Sequence, residues 1–115
     1  MSEHPFVVFV RKLPCSVHPY GKQTTPTEPD HHPTIGSRGG YHTHVWPLCS
    51  ECHKERHRIG LETFERKYGV SARGCIAYLE EWFDRLTSAQ ISQVTGLSVR
   101  VVERRLGRET HRAAA

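Results

Sequence analysis

Long apolar runs are missing from this 115-residue chain. No stretch approaches the roughly 18 to 20 residues that cross a bilayer, and Phe6–Val10 is too short for the core of a secretory signal. Neither a membrane partner nor export is expected, and the expected location is the cytoplasm, that of the host if the chain is phage-encoded. Aliphatic side chains are scarce too: between Pro14 and Gly40, Val17 and Ile35 stand alone. A tract this poor cannot hold its shape by apolar burial and needs a cross-link to do so. Cysteine is too sparse for a disulfide scaffold. Of the four, Cys75 sits in a helical pattern and reads as a buried core thiol, while in a reducing compartment the other three read as thiolate ligands.

What the tract does hold is metal-ligand chemistry. Cys15 to His57 contains three of the four cysteines and seven of the nine histidines, as Cys-x-x-His, Asp-His-His, His-x-His and Cys-x-x-Cys-His-x-x-x-His. Thiolate and imidazole are the donors that Zn²⁺ prefers. Cys15-x-x-His18 and Cys49-x-x-Cys52 are two paired-ligand knuckles able to close one tetrahedral structural zinc site. His53 and His57 are spaced i, i+4, so one helix face presents both imidazoles to a second cation. A third ligand must come from elsewhere, and the Asp30-His31-His32 run, on a hairpin folded over that helix, is the source. Adjacent strand residues point to opposite sides, so one can ligate while the other acts on a water.

The expected fold class is α+β. Phe6–Val10, aromatic and β-branched, predicts a strand; Pro19 to Gly40, rich in proline and glycine, predicts irregular chain. Tyr41 to Leu48 predicts a strand ending at Pro47, and Cys49 to Arg58 a helix stopped by Gly60. Amphipathic helices follow at Leu61–Tyr68, ended by Gly69, and at Ala72–Leu86, with Ile76, Leu79, Trp82, Phe83 and Leu86 as a core stripe. Thr87 and Gln90 form a capping box, Ile91 and Val94 face inward, Gly96 makes a turn and Ser98 caps a last helix. This end resembles a helix-turn-helix, in which Val99 to Leu106 is the recognition helix and Arg100, Arg104, Arg105 and Arg108 face DNA; the alternative is a plain helical hairpin with its arginines in solvent.

The combination of Asp-His-His, Gly39-Gly40, Pro-Leu-Cys-x-x-Cys-His-x-x-x-His-x-x-Gly and a short helix ending in Tyr-Gly resembles the HNH endonucleases, in particular the small phage-borne branch with a zinc knuckle. The likeness covers roughly Leu13 to Val70. It implies a small ββα-metal core with structural zinc over residues 1–70; a connecting helix is expected over 71–86 and, from the separate helix-turn-helix resemblance, a DNA-binding segment over 87–115. It further implies His31, His53 and His57 as ligands of a catalytic divalent cation (Mg²⁺, Mn²⁺, Ni²⁺ or Zn²⁺) and His32 as general base. A second frame makes Asp30 the ligand and His31 the base; the count from His32 to Gly39-Gly40 favours the first. The family often has an asparagine on the strand before the helix, and this chain has none. His42 and His44 stand there instead, with His44 favoured by its distance from Cys49.

Three function classes follow. The first is a metal-dependent DNA endonuclease or nickase. The second is a zinc-stabilised helix-turn-helix regulator that does not cut. Third is a basic protein docked to phage DNA-processing components. A net charge of +4 and a pI of about 9.1 suit a polyanionic partner. Arg38 joins the helix-turn-helix arginines as a DNA contact, and a homodimer would serve double-strand cleavage.

Overall fold

The computed structural model describes residues 3–18, 21–33 and 44–108. Among them the chain is α+β, with six helices and one two-stranded antiparallel sheet. The order is α1 (Pro5–Arg11), β1 (Thr27–His31), β2 (Val45–Cys49), α2 (Ser50–Ile59), α3 (Leu61–Tyr68), α4 (Ala72–Arg85), α5 (Ser88–Thr95) and α6 (Val99–Leu106). Arg38, His42 and the Gly39-Gly40 pair lie outside the described residues.

The strand expected over Phe6–Val10 is instead helix α1. Pro5 stands in its first turn, where a missing N–H costs nothing, and the His4 imidazole caps it by accepting the Phe6 N–H at 3.0 Å. Phe6, Val7, Phe9 and Val10 are all buried, so the segment is apolar around most of its circumference and shows no period to read. They form one core with Val45, Leu79, Phe83, Ile91 and Val102. The N-terminal helix and the three C-terminal helices therefore share a core. Phe6 and Phe83 meet edge-to-face at 5.3 Å, as do Phe9 and Trp82 at 5.4 Å.

Strand β2 does not stop at Pro47 but runs through it to Cys49, wholly buried. Pro47 pairs with Pro29 across the sheet, where neither residue has an N–H to strand. Its carbonyl accepts the Ser16 N–H at 2.9 Å and the Ser16 hydroxyl at 2.8 Å, docking the loop after α1. A second core of Trp46, Leu48, Phe64, Ala72 and Ile76 packs around Cys15, Cys49 and Cys52. Cys75 is partly buried between the two cores, and burial pushes its thiol up.

Helices α3 to α6 run close to their expected bounds because each carries its own stop or cap. Gly69, Gly96 and Gly107 close α3, α5 and α6 in the left-handed region, and the Thr87–Gln90 capping box starts α5. Two faces differ from expectation. Trp82 is 43% exposed and meets the core edge-on at Phe9. Val94 is 42% exposed; Thr95 turns inward in its place, its hydroxyl donating to the Ile91 carbonyl at 2.7 Å.

Candidate metal centres

Among the described residues, two groups of side chains able to hold a metal ion lie at the two ends of the β1–β2 hairpin. The first is Cys15, His18, Cys49 and Cys52, whose donor atoms all lie within 4.8 Å of one another. His18 Nδ1 is 3.2 Å from Cys49 Sγ and 3.4 Å from Cys52 Sγ. A tetrahedron with Zn–S near 2.3 Å and Zn–N near 2.0 Å has edges of about 3.5 to 3.8 Å, so these donors form a Cys₃His group able to hold a metal ion such as zinc. Local chemistry puts them there. Cys49 ends β2 as the N-cap residue of α2, which places Cys52 on the first turn. The Gln23 side chain holds the other pair: its oxygen accepts the Cys15 N–H at 2.8 Å, and its amide donates to Thr27 Oγ1 at 2.8 Å and to the Thr25 carbonyl at 2.7 Å. Thr27 in turn donates to the Leu13 carbonyl at 2.7 Å. The Val17 N–H donates to Cys15 Sγ at 3.4 Å.

Cys49 is the easier thiol to ionise. Burial raises it, but hydrogen bonds from the Cys52 backbone, Thr25 and the neighbouring thiols outweigh this and bring it down to about 7. Burial and the charge of Cys15 push Cys52 the other way. A dication bound among these thiols would favour the thiolate form of each ligand.

The second group is Asp30, His53 and His57, again with donor atoms within 4.8 Å. Asp30 is fully buried near the end of β1, opposite Trp46. Its Oδ2 accepts from Trp46 Nε1 at 2.8 Å and from Arg56 Nε at 3.0 Å. Its Oδ1 is buried without a hydrogen bond, yet lies 3.2 Å from His53 Nε2 and 3.3 Å from His57 Nε2. A buried carboxylate oxygen left over between two imidazole nitrogens could hold a cation. His53 is already oriented for that role. Its Nδ1 lies 2.7 Å from Glu28 Oε1, and Glu28 also accepts from Ser50 Oγ at 2.7 Å. The His53 imidazole and the Ser50 hydroxyl together hold the Glu28 carboxyl below the usual carboxylate range. The tautomer that donates Nδ1–H to Glu28 would turn the lone pair of Nε2 toward Asp30. His57 is looser, its side chain 59% exposed and its Nδ1 3.4 Å from Arg56 Nη1.

The sequence-predicted residues thus sort unevenly. Cys15, His18, Cys49 and Cys52 meet, as do His53 and His57, but the third member of the second group is the carboxylate of Asp30, and His31 lies outside it. The physical reason is strand alternation: Asp30 is buried toward α2, so its neighbour His31 leaves the opposite face and is exposed. His32 is buried at 7% exposure, and burial, aided by the charge of Arg73, lowers its imidazole. His44 is not in the group. Its Nδ1 lies 3.4 Å from Glu80 on α4, whose carboxyl burial pushes up, and its backbone carbonyl accepts the His32 N–H at 3.2 Å.

Sequence reasoning missed Glu28, Trp46 and Arg56. The spacing of Glu28 and Asp30 at i, i+2 on one strand was a readable sign that both carboxylates share a face.

The arginines of the C-terminal hairpin also divide. Arg100 and Arg104 are exposed on α6. Arg108 instead turns back, donating to the Leu86 carbonyl at 2.9 Å and to Ser88 Oγ at 3.3 Å, and Arg105 donates to the Glu3 carbonyl at 3.4 Å. No protein-family model, curated protein or solved structure matches this chain.

Proposed function

We propose that this protein is a metal-dependent DNA endonuclease or nickase of the HNH type, with structural zinc in the Cys₃His group and a catalytic divalent cation at Asp30, His53 and His57. The observation that carries this reading is the buried, hydrogen-bond-free Oδ1 of Asp30 between His53 and His57. The two groups differ as structural and catalytic sites do. Four protein donors close a coordination sphere, whereas three leave positions for substrate and water. A divalent cation held there supplies charge to a phosphodiester in the transition state.

The chain's own residues do the rest. Asp30 and His53 form the prepared part of the seat, and Glu28 holds His53 in the ligating tautomer. His31 takes the base role in the frame that the geometry supports: it follows Asp30 directly, is exposed, and belongs to the side-chain class whose ordinary pKa lies nearest neutrality. It accepts the proton of the attacking water as the new P–O bond forms and the bond to the 3′-oxygen breaks. Buried His32 is less suited, because a base must reach solvent water. The positive charge of the chain and the exposed Arg100 and Arg104 supply sequence-independent contact to phosphates.

The test is cleavage of supercoiled plasmid by zinc-loaded protein cleared of loosely held cations by gel filtration, its retained zinc verified, with Mg²⁺, Mn²⁺, Ni²⁺ or Zn²⁺ added singly. His31→Ala is expected to slow nicking by about 10²- to 10⁴-fold, while a folded His32→Ala still cuts. Loss of cleavage in a folded His32→Ala, with His31→Ala losing cleavage and cation binding together, would restore the frame with His31 as ligand and His32 as base. Intact plasmid under every cation would leave the second reading, a zinc-stabilised helix-turn-helix regulator, which the capped α5–Gly96–α6 hairpin favours.

A further inference from the structure

The guanidinium of Arg56 occupies an unusual place, buried on α2 between the two helix histidines in sequence, with its side chain 8% exposed. Its Nε donates to Asp30 Oδ2 at 3.0 Å, its Nη2 donates to the His31 carbonyl at 3.0 Å, and its Nη1 stands 3.4 Å from His57 Nδ1. One planar fork therefore touches the carboxylate of the centre, the backbone of the residue after it and one of its imidazoles. Coulomb's law alone would make this a poor choice, since a permanent cation beside a cation site lowers affinity. Its geometry is what the site uses. Trp46 Nε1 and Arg56 Nε both aim at Oδ2, which fixes the plane of the carboxylate and leaves Oδ1 alone facing His53 and His57.

We propose that Arg56 is the positioning residue of this centre, locking Asp30 as a single-oxygen ligand and tying the end of β1 to the helix that carries His53 and His57. This rests on the reading of Asp30, His53 and His57 as a cation site. Lysine cannot replace it, because one ammonium cannot reach Oδ2 and the His31 carbonyl with the same fixed angle between donors.

Mn²⁺ binding to the zinc-loaded full chain, followed by electron paramagnetic resonance, tests this. Mn²⁺ prefers carboxylate and imidazole over thiolates, so it reports on this centre and not on the Cys₃His group. Arg56→Gln and Arg56→Lys are both expected to weaken Mn²⁺ binding by about 10- to 100-fold, the range for lost support of metal ligands. Trp46→Phe, which removes the other donor to Oδ2 and leaves Arg56 in place, is expected to weaken it less. A purely structural role would lower the unfolding midpoint of the Arg56 variants yet leave Mn²⁺ affinity intact well below that midpoint, and that result overturns the proposal. Tighter binding in Arg56→Gln with wild-type binding in Arg56→Lys overturns it as well, since that is the pattern of charge alone. Failure of the underlying site is distinguishable: the wild type would then bind no Mn²⁺, and His53→Ala would change nothing.

Discussion

Replacing Asp30 with asparagine separates the two roles of this carboxylate. Asparagine has nearly the same shape, and its oxygen can still accept from Trp46 Nε1 and Arg56 Nε, so packing and hydrogen bonds to Oδ2 survive. What vanishes is the negative charge facing a guanidinium only 8% exposed, inside a carboxylate site that is itself fully buried. Removing one partner of such a buried pair costs about 3 to 5 kcal/mol, and because the asparagine keeps its hydrogen bonds the low end, about 3 kcal/mol, is expected here. For a chain of this length each kcal/mol moves the midpoint by about 4 °C, so the zinc-loaded variant should melt about 12 °C below the wild type. The assay is thermal and urea unfolding of Asp30→Asn, Arg56→Met and the double variant. Removing both charges should recover part of the loss, with a coupling of at least about 1 kcal/mol, since residues in one network are not additive. Raising the ionic strength should change the difference little, because the pair is shielded from solvent ions. An Asp30→Asn protein within about 1 kcal/mol of wild type, with additive effects in the double variant, would refute the claim that this pair is a buried and mutually dependent one.

Cys49→Ser or extraction of zinc by a strong chelator should unfold the hairpin and the α2 start, read as loss of near-ultraviolet dichroism; structural zinc contributes on the order of 10 kcal/mol to small domains. Retained structure without metal would show that the Cys₃His group is dispensable. Arg100→Ala and Arg104→Ala should each weaken DNA binding and lower the slope of log affinity against log salt by about 1 with stability unchanged. Arg108→Ala should instead lower the midpoint, because it removes bonds to Leu86 and Ser88, and equal DNA effects from all three would contradict the division between Arg100 and Arg104 on α6 and Arg108 just beyond it.

The spacing of Cys15, His18, Cys49 and Cys52 was enough by itself to bring four donors together, because paired ligands on knuckles leave few other ways to close a coordination sphere. His53 and His57 were equally legible, since four residues are about one turn of any helix. Helix ends marked by Gly60, Gly69 and Gly96, and starts marked by Thr87 and Ser98, depend on local backbone chemistry and so are written locally. Three other matters were settled only by packing. Phe6–Val10 carries the residues of a strand, yet it is surrounded by α5, α6 and the sheet, and burial on many sides erases the periodicity that separates helix from strand. The choice between Asp30 and His31 is a shift of one residue, and only the pairing of Asp30 with Trp46 decides which side chain faces α2. Arg56 reads in the sequence as one more cation on an exposed helix. It is buried because the counter-charge that makes burial affordable arrives from a strand 26 residues away, and no local pattern can announce a partner that distant.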